Sequence, residues 1–162
     1  YHLFSRYFGT MDQTFSDGYV LCTGISSAQY DSNAGTVGNT GRKELIERLK
    51  NSEEQVKIVF LHHNIVPIPH SRNKGLLEDS GDLLRDLVDA GTGIVLTGTS
   101  SHPFAVRVEG TLVVNANSVS SIYQRSTRGN SFNIIDIYEK STAVFEVNSL
   151  WGKRRLLGLW DN

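Results

Sequence analysis

Apolar residues follow two rhythms along the chain. Tyr19-Val20-Leu21-Cys22, Val56-Lys57-Ile58-Val59-Phe60-Leu61 and residues 93–97 are short runs bounded by glycine or polar clusters. They are too continuous for strands with one wet face, so they predict strands covered on both sides. Between them the spacing becomes helical. Leu45, Ile46 and Leu49 share one face of a helix predicted over 42–50. Leu83, Leu84, Leu87 and Val88 share one face of a second helix over 80–90, with Asp79 or Ser80 as N-cap and Gly91 placed to end it. Strand, helix, strand, helix, strand in this order predicts parallel pairing through right-handed crossovers. Leu3, Phe4, Tyr7 and Phe8 also have helical spacing and predict a short helix or packed terminal segment.

After Gly98 the pattern changes. Residues 104–109 and 111–115 flank Gly110 and predict an antiparallel hairpin, and residues 131–138 and 142–148 predict another, with Ala143, Phe145 and Val147 marking one buried face. Residues 153–160 add a final strand. The fold class is α/β, parallel strands with helices followed by antiparallel hairpins, and residues 1–162 are expected to form one unit.

Composition narrows the classes. With 162 residues, 39% of them hydrophobic, 15 Gly and 3 Pro, the chain is globular rather than disordered or collagen-like, and long enough for a sizeable core. Sixteen Lys and Arg against seventeen Asp and Glu leave a net charge of -1, so charge does not indicate nucleic acid as a partner. No apolar run approaches the roughly 20 residues that span a bilayer, so no membrane is expected. The single Cys22 excludes an intramolecular disulfide and is expected to be an inert core thiol, and a cytoplasmic location is expected.

Ligands of open α/β sheets bind beyond the carboxyl ends of the strands. Two such ends carry chemistry. One strand stops on His62-His63-Asn64, two imidazoles and an amide; another stops on Gly98-Thr99-Ser100-Ser101-His102-Pro103, three hydroxyls and an imidazole. Asn115-Ala116-Asn117-Ser118 follows a further strand and borders the same crevice. His70, in a loop with Pro67 and Pro69, is a candidate substrate contact overhanging it. Arg125 and Arg128 read as a solvated pair, and Trp151 and Trp160 as packing anchors of the last hairpin.

"KIVFLHHNIVPIP", "GIVLTGTSSHPFAVRVEGTLVVNANSVSS" and "RGNSFNIIDIY", in this order, resemble the calcineurin-like metallophosphoesterase family, the last block its cyclic-nucleotide-phosphodiesterase-like branch. The resemblance covers most of the chain from about Tyr19 onward. It implies a four-layer α/β/β/α sandwich, a phosphoester substrate, and two divalent metal ions such as Mn, Fe or Zn held roughly 3.5–4 Å apart to clamp a phosphoryl group and activate water. By resemblance His62 is the metal-ligand candidate, and His63 and Asn64 face the substrate or support the ligand.

The departures from the family pattern are specific. Its Gly-His-x-His-x-Pro motif aligns with residues 98–103, so Thr99 and Ser101 stand where two histidines would, and His102 would ligate only after a local backbone shift. Hydroxyls replace imidazole poorly on a transition metal. Asp-x-His, Gly-Asp and Gly-Asn-His-Asp are absent, and no bridging carboxylate can be assigned. The expectation is therefore the C-terminal portion of the fold, opening on Tyr1 rather than Met, which needs a missing N-terminal segment or a second chain to form a two-metal phosphoesterase. Alone it is expected to show little or no activity and to hold metal poorly. The alternative is a pseudo-phosphoesterase that keeps the fold as a binding or assembly module.

Overall fold

The three continuous apolar runs form the parallel heart of a six-stranded sheet. In the computed structural model of the chain, the described residues are 6–7, 9–10, 12–29, 34–69, 75–122 and 129–162. Among them lie β1 (Thr14–Ser16), β2 (Val20–Gly24), α1 (Gly38–Lys50), β3 (Val56–Phe60), α2 (Ser80–Asp89), β4 (Ile94–Thr97), β5 (Phe104–Val108), β6 (Thr111–Asn115), β7 (Ser131–Ile137), β8 (Ser141–Asn148) and β9 (Arg154–Asp161). One sheet has the order β1-β2-β3-β4-β6-β5 and a second the order β7-β8-β9. β2, β3, β4 and β6 run parallel, while β1, β5 and the whole second sheet pair antiparallel. This is the expected α/β class, parallel strands with helices followed by antiparallel hairpins. The helix expected near residues 3–8 lies outside the described residues apart from Arg6 and Tyr7, as do His70, Arg125 and Arg128.

Alternation along each strand divides the core in two. Val59, Val95 and Val113 lie in register across β3, β4 and β6 and point to the helix side, where Leu45 and Leu49 of α1 and Leu83 and Leu87 of α2 close over them. Each fully buried leucine contributes roughly 1.5–3 kcal/mol by leaving water. Ile94, Leu112 and Val114 point the other way, onto Ile135, Val144, Leu157 and Trp160 of the second sheet.

Most predicted elements form within a residue or two of their expected ends. Gly91 (φ +72°) ends α2 as its position suggested, the N–H groups of Gly91 and Thr92 returning to the carbonyls of Val88 and Leu87. Three differences are physical. β1 was not expected, because Thr14-Phe15-Ser16 is too short to carry a pattern; pairing with β2 makes it a strand. Trp151 is exposed at the tip of the β8–β9 turn rather than an anchor, whereas Trp160 does pack, its ring lying over Gly158. Cys22 is half-buried on the face of β2 away from the helices, and burial pushes its thiol pKa up.

α1 also starts at Gly38 rather than at 42, because its N-terminus is capped from a distant part of the chain. Asp79 stands at the N-cap position of α2 but makes no side-chain cap there. Its carboxylate instead accepts the N–H groups of Val37 (3.1 Å) and Gly38 (2.8 Å). Gly38 has φ +73°, strained for any other residue. Arg42, one turn on, reaches Asp79, Asp82 and Asp86 at 3.7, 3.1 and 3.4 Å and ties α1 to α2. Burial alone would raise the Asp79 pKa. The N–H groups of Gly38 and Val37 and the Thr36 hydroxyl outweigh it and hold the carboxyl below its usual range. The stability it contributes is thus full above the ordinary value of 3.8 and is lost as pH falls through the lower folded value. Asp79→Asn should cost about 1–2 kcal/mol in urea unfolding at pH 7, and the two unfolding curves should converge as the pH falls below 3.8.

Candidate functional site

β3, β4 and β6 end side by side, which brings together the three polar segments 62–64, 98–103 and 115–118. Asn115, the last residue of β6, is fully buried and holds the 98–103 loop. Its Nδ2 donates to the carbonyls of Ser100 and His102, both at 2.8 Å, and lies 3.2 Å from both the Ser100 hydroxyl and the Ala116 carbonyl. Its Oδ1 accepts from Thr97 Oγ1 at 3.0 Å. One amide therefore shapes the loop that follows β4.

The two imidazoles have opposite settings. His62 is exposed, and its carbonyl accepts the Gly98 N–H at 3.2 Å. His63 is buried, with Nδ1 2.9 Å from Ser27 Oγ, and its backbone N–H donates to the same hydroxyl at 3.3 Å. Its ring lies flat on Gly35, where an added Cβ would come within 2.2 Å of Nδ1. The two rings meet edge to face at 4.9 Å. Asn64, also buried, donates weakly to Ser100 Oγ at 3.4 Å, and its backbone pairs with that of Gly75 and Leu77. Its Oδ1 has no partner among the described residues.

Thr99 is half-buried against Gly75, where an added Cβ would lie 1.8 Å from Thr99 Cγ2, and its buried Oγ1 has no partner among the described residues. Ser101 is half-buried and His102 exposed. The structure thus brings His62, His63, Asn64, Thr99 and Ser101 to one end of the sheet, with His102 on the same loop. Ser27 and Gly35 carried no signal of a role in sequence, because both lie in a polar connection whose packing partner is remote. Asn115 was visible only as a border residue.

These side chains do not fit a pair of divalent cations. The Ser27–His63 and Asn115–Ser100 contacts use the polar groups on one another, and Thr99 and Ser101 offer hydroxyls. Among the described residues no group of three or more His, Cys, Asp and Glu is placed to hold a metal ion. Neither of two sizeable surface grooves is lined by residues of the 62–64, 98–103 or 115–118 segments. One, of about 480 Å³, runs along Arg42, Ile46 and Asp86; the other, of about 390 Å³, lies beside Trp151 and Arg154.

No protein-family model matches the chain, and no curated protein matches it. Solved structures do. A dimetal phosphatase from Danio rerio superposes with TM-score 0.67 at 10% identity, over 90% of this chain and 60% of that one. GAP50, the anchor in the inner membrane complex of Plasmodium, gives 0.58 at 12% identity, over 92% and 53%. PhoD gives 0.61 at 10% identity, over 92% and 44%. At these identities the likeness is one of fold, and the fold is that of the calcineurin-like metallophosphoesterases. The chain spans about half the length of these three structures.

Asn115→Ala removes the donor shared by the Ser100 and His102 carbonyls and leaves Thr97 Oγ1 without its acceptor. A loss of about 2–3 kcal/mol is expected in urea unfolding, with faster proteolytic cleavage within 98–103. An unchanged stability would show that the loop holds its shape without this amide.

Proposed function

We propose that this chain is a non-catalytic calcineurin-like module, a binding or assembly unit that keeps the phosphoesterase fold without its two-metal chemistry. The observation that carries this reading is the strand-end donor set. By the resemblance Thr99 and Ser101 stand where the family motif has histidines, and the remaining polar groups are largely tied to one another. Likeness to GAP50, which is described as an anchor, supports a role that needs the fold and not turnover. No helix among the described residues is long and apolar enough to cross a membrane. A cytoplasmic setting is part of the proposal.

A second reading has one observation in its favour. The exposed His62 stands at a strand end in a fold shared with a dimetal phosphatase, so residues outside these 162 could complete a hydrolase acting on phosphomonoesters or phosphodiesters, in the cyclic-nucleotide-phosphodiesterase-like branch that the 128–138 block resembles. The two readings separate on the full-length protein, with whatever residues flank these 162 present, when Mn²⁺, Zn²⁺ or Fe²⁺ is added to a generic aryl phosphodiester. The module reading expects no hydrolysis above the metal-only blank and no metal-dependent shift in melting temperature, in wild type or His62→Ala. Metal-dependent hydrolysis that His62→Ala abolishes would overturn it.

A further inference from the structure

Exposed apolar side chains fall into distinct settings among the described residues. Some belong to sheet faces whose cover is incomplete. Phe15, Cys22, Ile58, Ile94 and Leu112 form one cross-strand row on the inner face of the first sheet. Phe15 is 63% exposed, Cys22 and Ile58 are half-buried, and Ile94 and Leu112, packed on the second sheet, are buried. Others stand on loops, clear of either sheet. Val119 and Ile122 follow β6, and Leu150 and Trp151 form the β8–β9 turn; Ile122, Leu150 and Trp151 are 87%, 74% and 82% exposed.

The two loops are tied together through Asn130. Its Nδ2 donates to the Ser121 carbonyl at 3.0 Å, and its own carbonyl accepts both the N–H and the hydroxyl of Ser149, each at 3.0 Å. The turn is also held from within. Asn148 Oδ1 accepts the N–H groups of Leu150 (3.0 Å) and Trp151 (2.9 Å), and the Asn148 carbonyl accepts that of Gly152 (2.9 Å), whose φ of +62° suits glycine. A fixed backbone therefore presents Leu150 and Trp151 outward, and little order has to be gained when they are buried.

Cations stand directly behind them. Lys153, Arg154 and Arg155 follow the turn and are all exposed. Arg155 is matched by Glu146, which it reaches at 2.6 Å and which also accepts from Ser131 Oγ at 2.9 Å. Lys153 and Arg154 are in no ion pair among the described residues. The groove of about 390 Å³ beside Trp151 is lined by these basic side chains.

We infer that this end of the molecule docks on an anionic lipid surface, with Ile122, Leu150 and Trp151 entering the boundary between headgroups and acyl chains and Lys153 and Arg154 meeting the headgroups. A bilayer interface takes Trp and aliphatic side chains that project from turns, while Lys and Arg reach the headgroups from behind them. A partner protein would have to offer a cavity for each projecting group. The charge of the whole chain is only -1, so the attraction is local to the turn, and binding is weak, reversible and screened by salt. No spanning segment is needed to lie on a bilayer. Such docking is independent of catalysis at the strand ends.

The full-length protein is sedimented with vesicles of phosphatidylcholine alone or with about 30% phosphatidylserine. It is expected to bind the anionic vesicles, to ignore the neutral ones and to come off as salt rises. Trp151→Ala and the double variant Lys153→Gln/Arg154→Gln should each weaken that binding at least about tenfold, with the melting temperature unchanged. Trp151→Phe, a milder change, serves fluorescence: brominated acyl chains should quench the part of the emission that it removes. No binding to anionic vesicles would overturn the proposal, as would binding that these substitutions leave unchanged. A Trp151 already shielded from acrylamide in the free full-length protein overturns it too, because flanking residues then cover the turn. So does Trp151-dependent binding of polyglutamate or oligothymidylate without vesicle binding, which assigns the surface to a protein or a nucleic acid.

Discussion

A parallel sheet must be covered on both faces, and every other feature of this molecule follows from how far that requirement is met. On the helix side it is met fully. Val59, Val95 and Val113 make a continuous aliphatic band beneath Leu49, Leu83 and Leu87, and the Arg42 and Asp79 contacts hold the two helices together at their rims. On the other side the cover extends only over β4, β6 and β5. The molecule is consequently firm at one flank and open at the other, with the polar strand ends lying along the boundary between them.

That boundary explains the character of the candidate site. Strand ends in such a sheet present unpaired backbone groups that a ligand, a metal or the chain itself must satisfy. Here the chain does much of it. Asn115 holds the carbonyls of the loop after β4, Ser27 holds His63, and Gly75 admits Thr99. Each contact that closes the loops on themselves removes a donor from a prospective metal. Asn64 Oδ1 and Thr99 Oγ1 remain unmatched among the described residues, so the cluster retains polar capacity, although no group of three or more His, Cys, Asp and Glu among those residues is placed to hold a metal ion.

Much of the fold was legible in sequence because it rests on local periodicity. The apolar runs at β2, β3 and β4, the leucine spacing of α1 and α2, Gly91 and the three late strands could all be read directly. The parts that were not legible depend on contacts distant in sequence. α1 begins early because Asp79 is 41 residues from the Gly38 amide it caps, β1 exists through its partner, and Cys22 looks like a core thiol until the width of the second sheet is known. At the site, the positions of His62, His63, Thr99 and Ser101 at one sheet end could be read from the strands they terminate. Their partners could not, because Ser27 and Gly35 belong to a connection without periodicity.

Uneven cover predicts uneven local stability. Native-state hydrogen exchange of the 162-residue chain, followed strand by strand in increasing sub-denaturing urea, tests this most directly. Amides of β4 and β6, enclosed on both faces, are expected to exchange only through global unfolding, whereas those of β2, and of β3 where it faces β2, should exchange through a smaller opening at lower free energy. Equal protection across β2, β3, β4 and β6 would contradict the account, because it would mean that the exposed inner rows cost the sheet nothing.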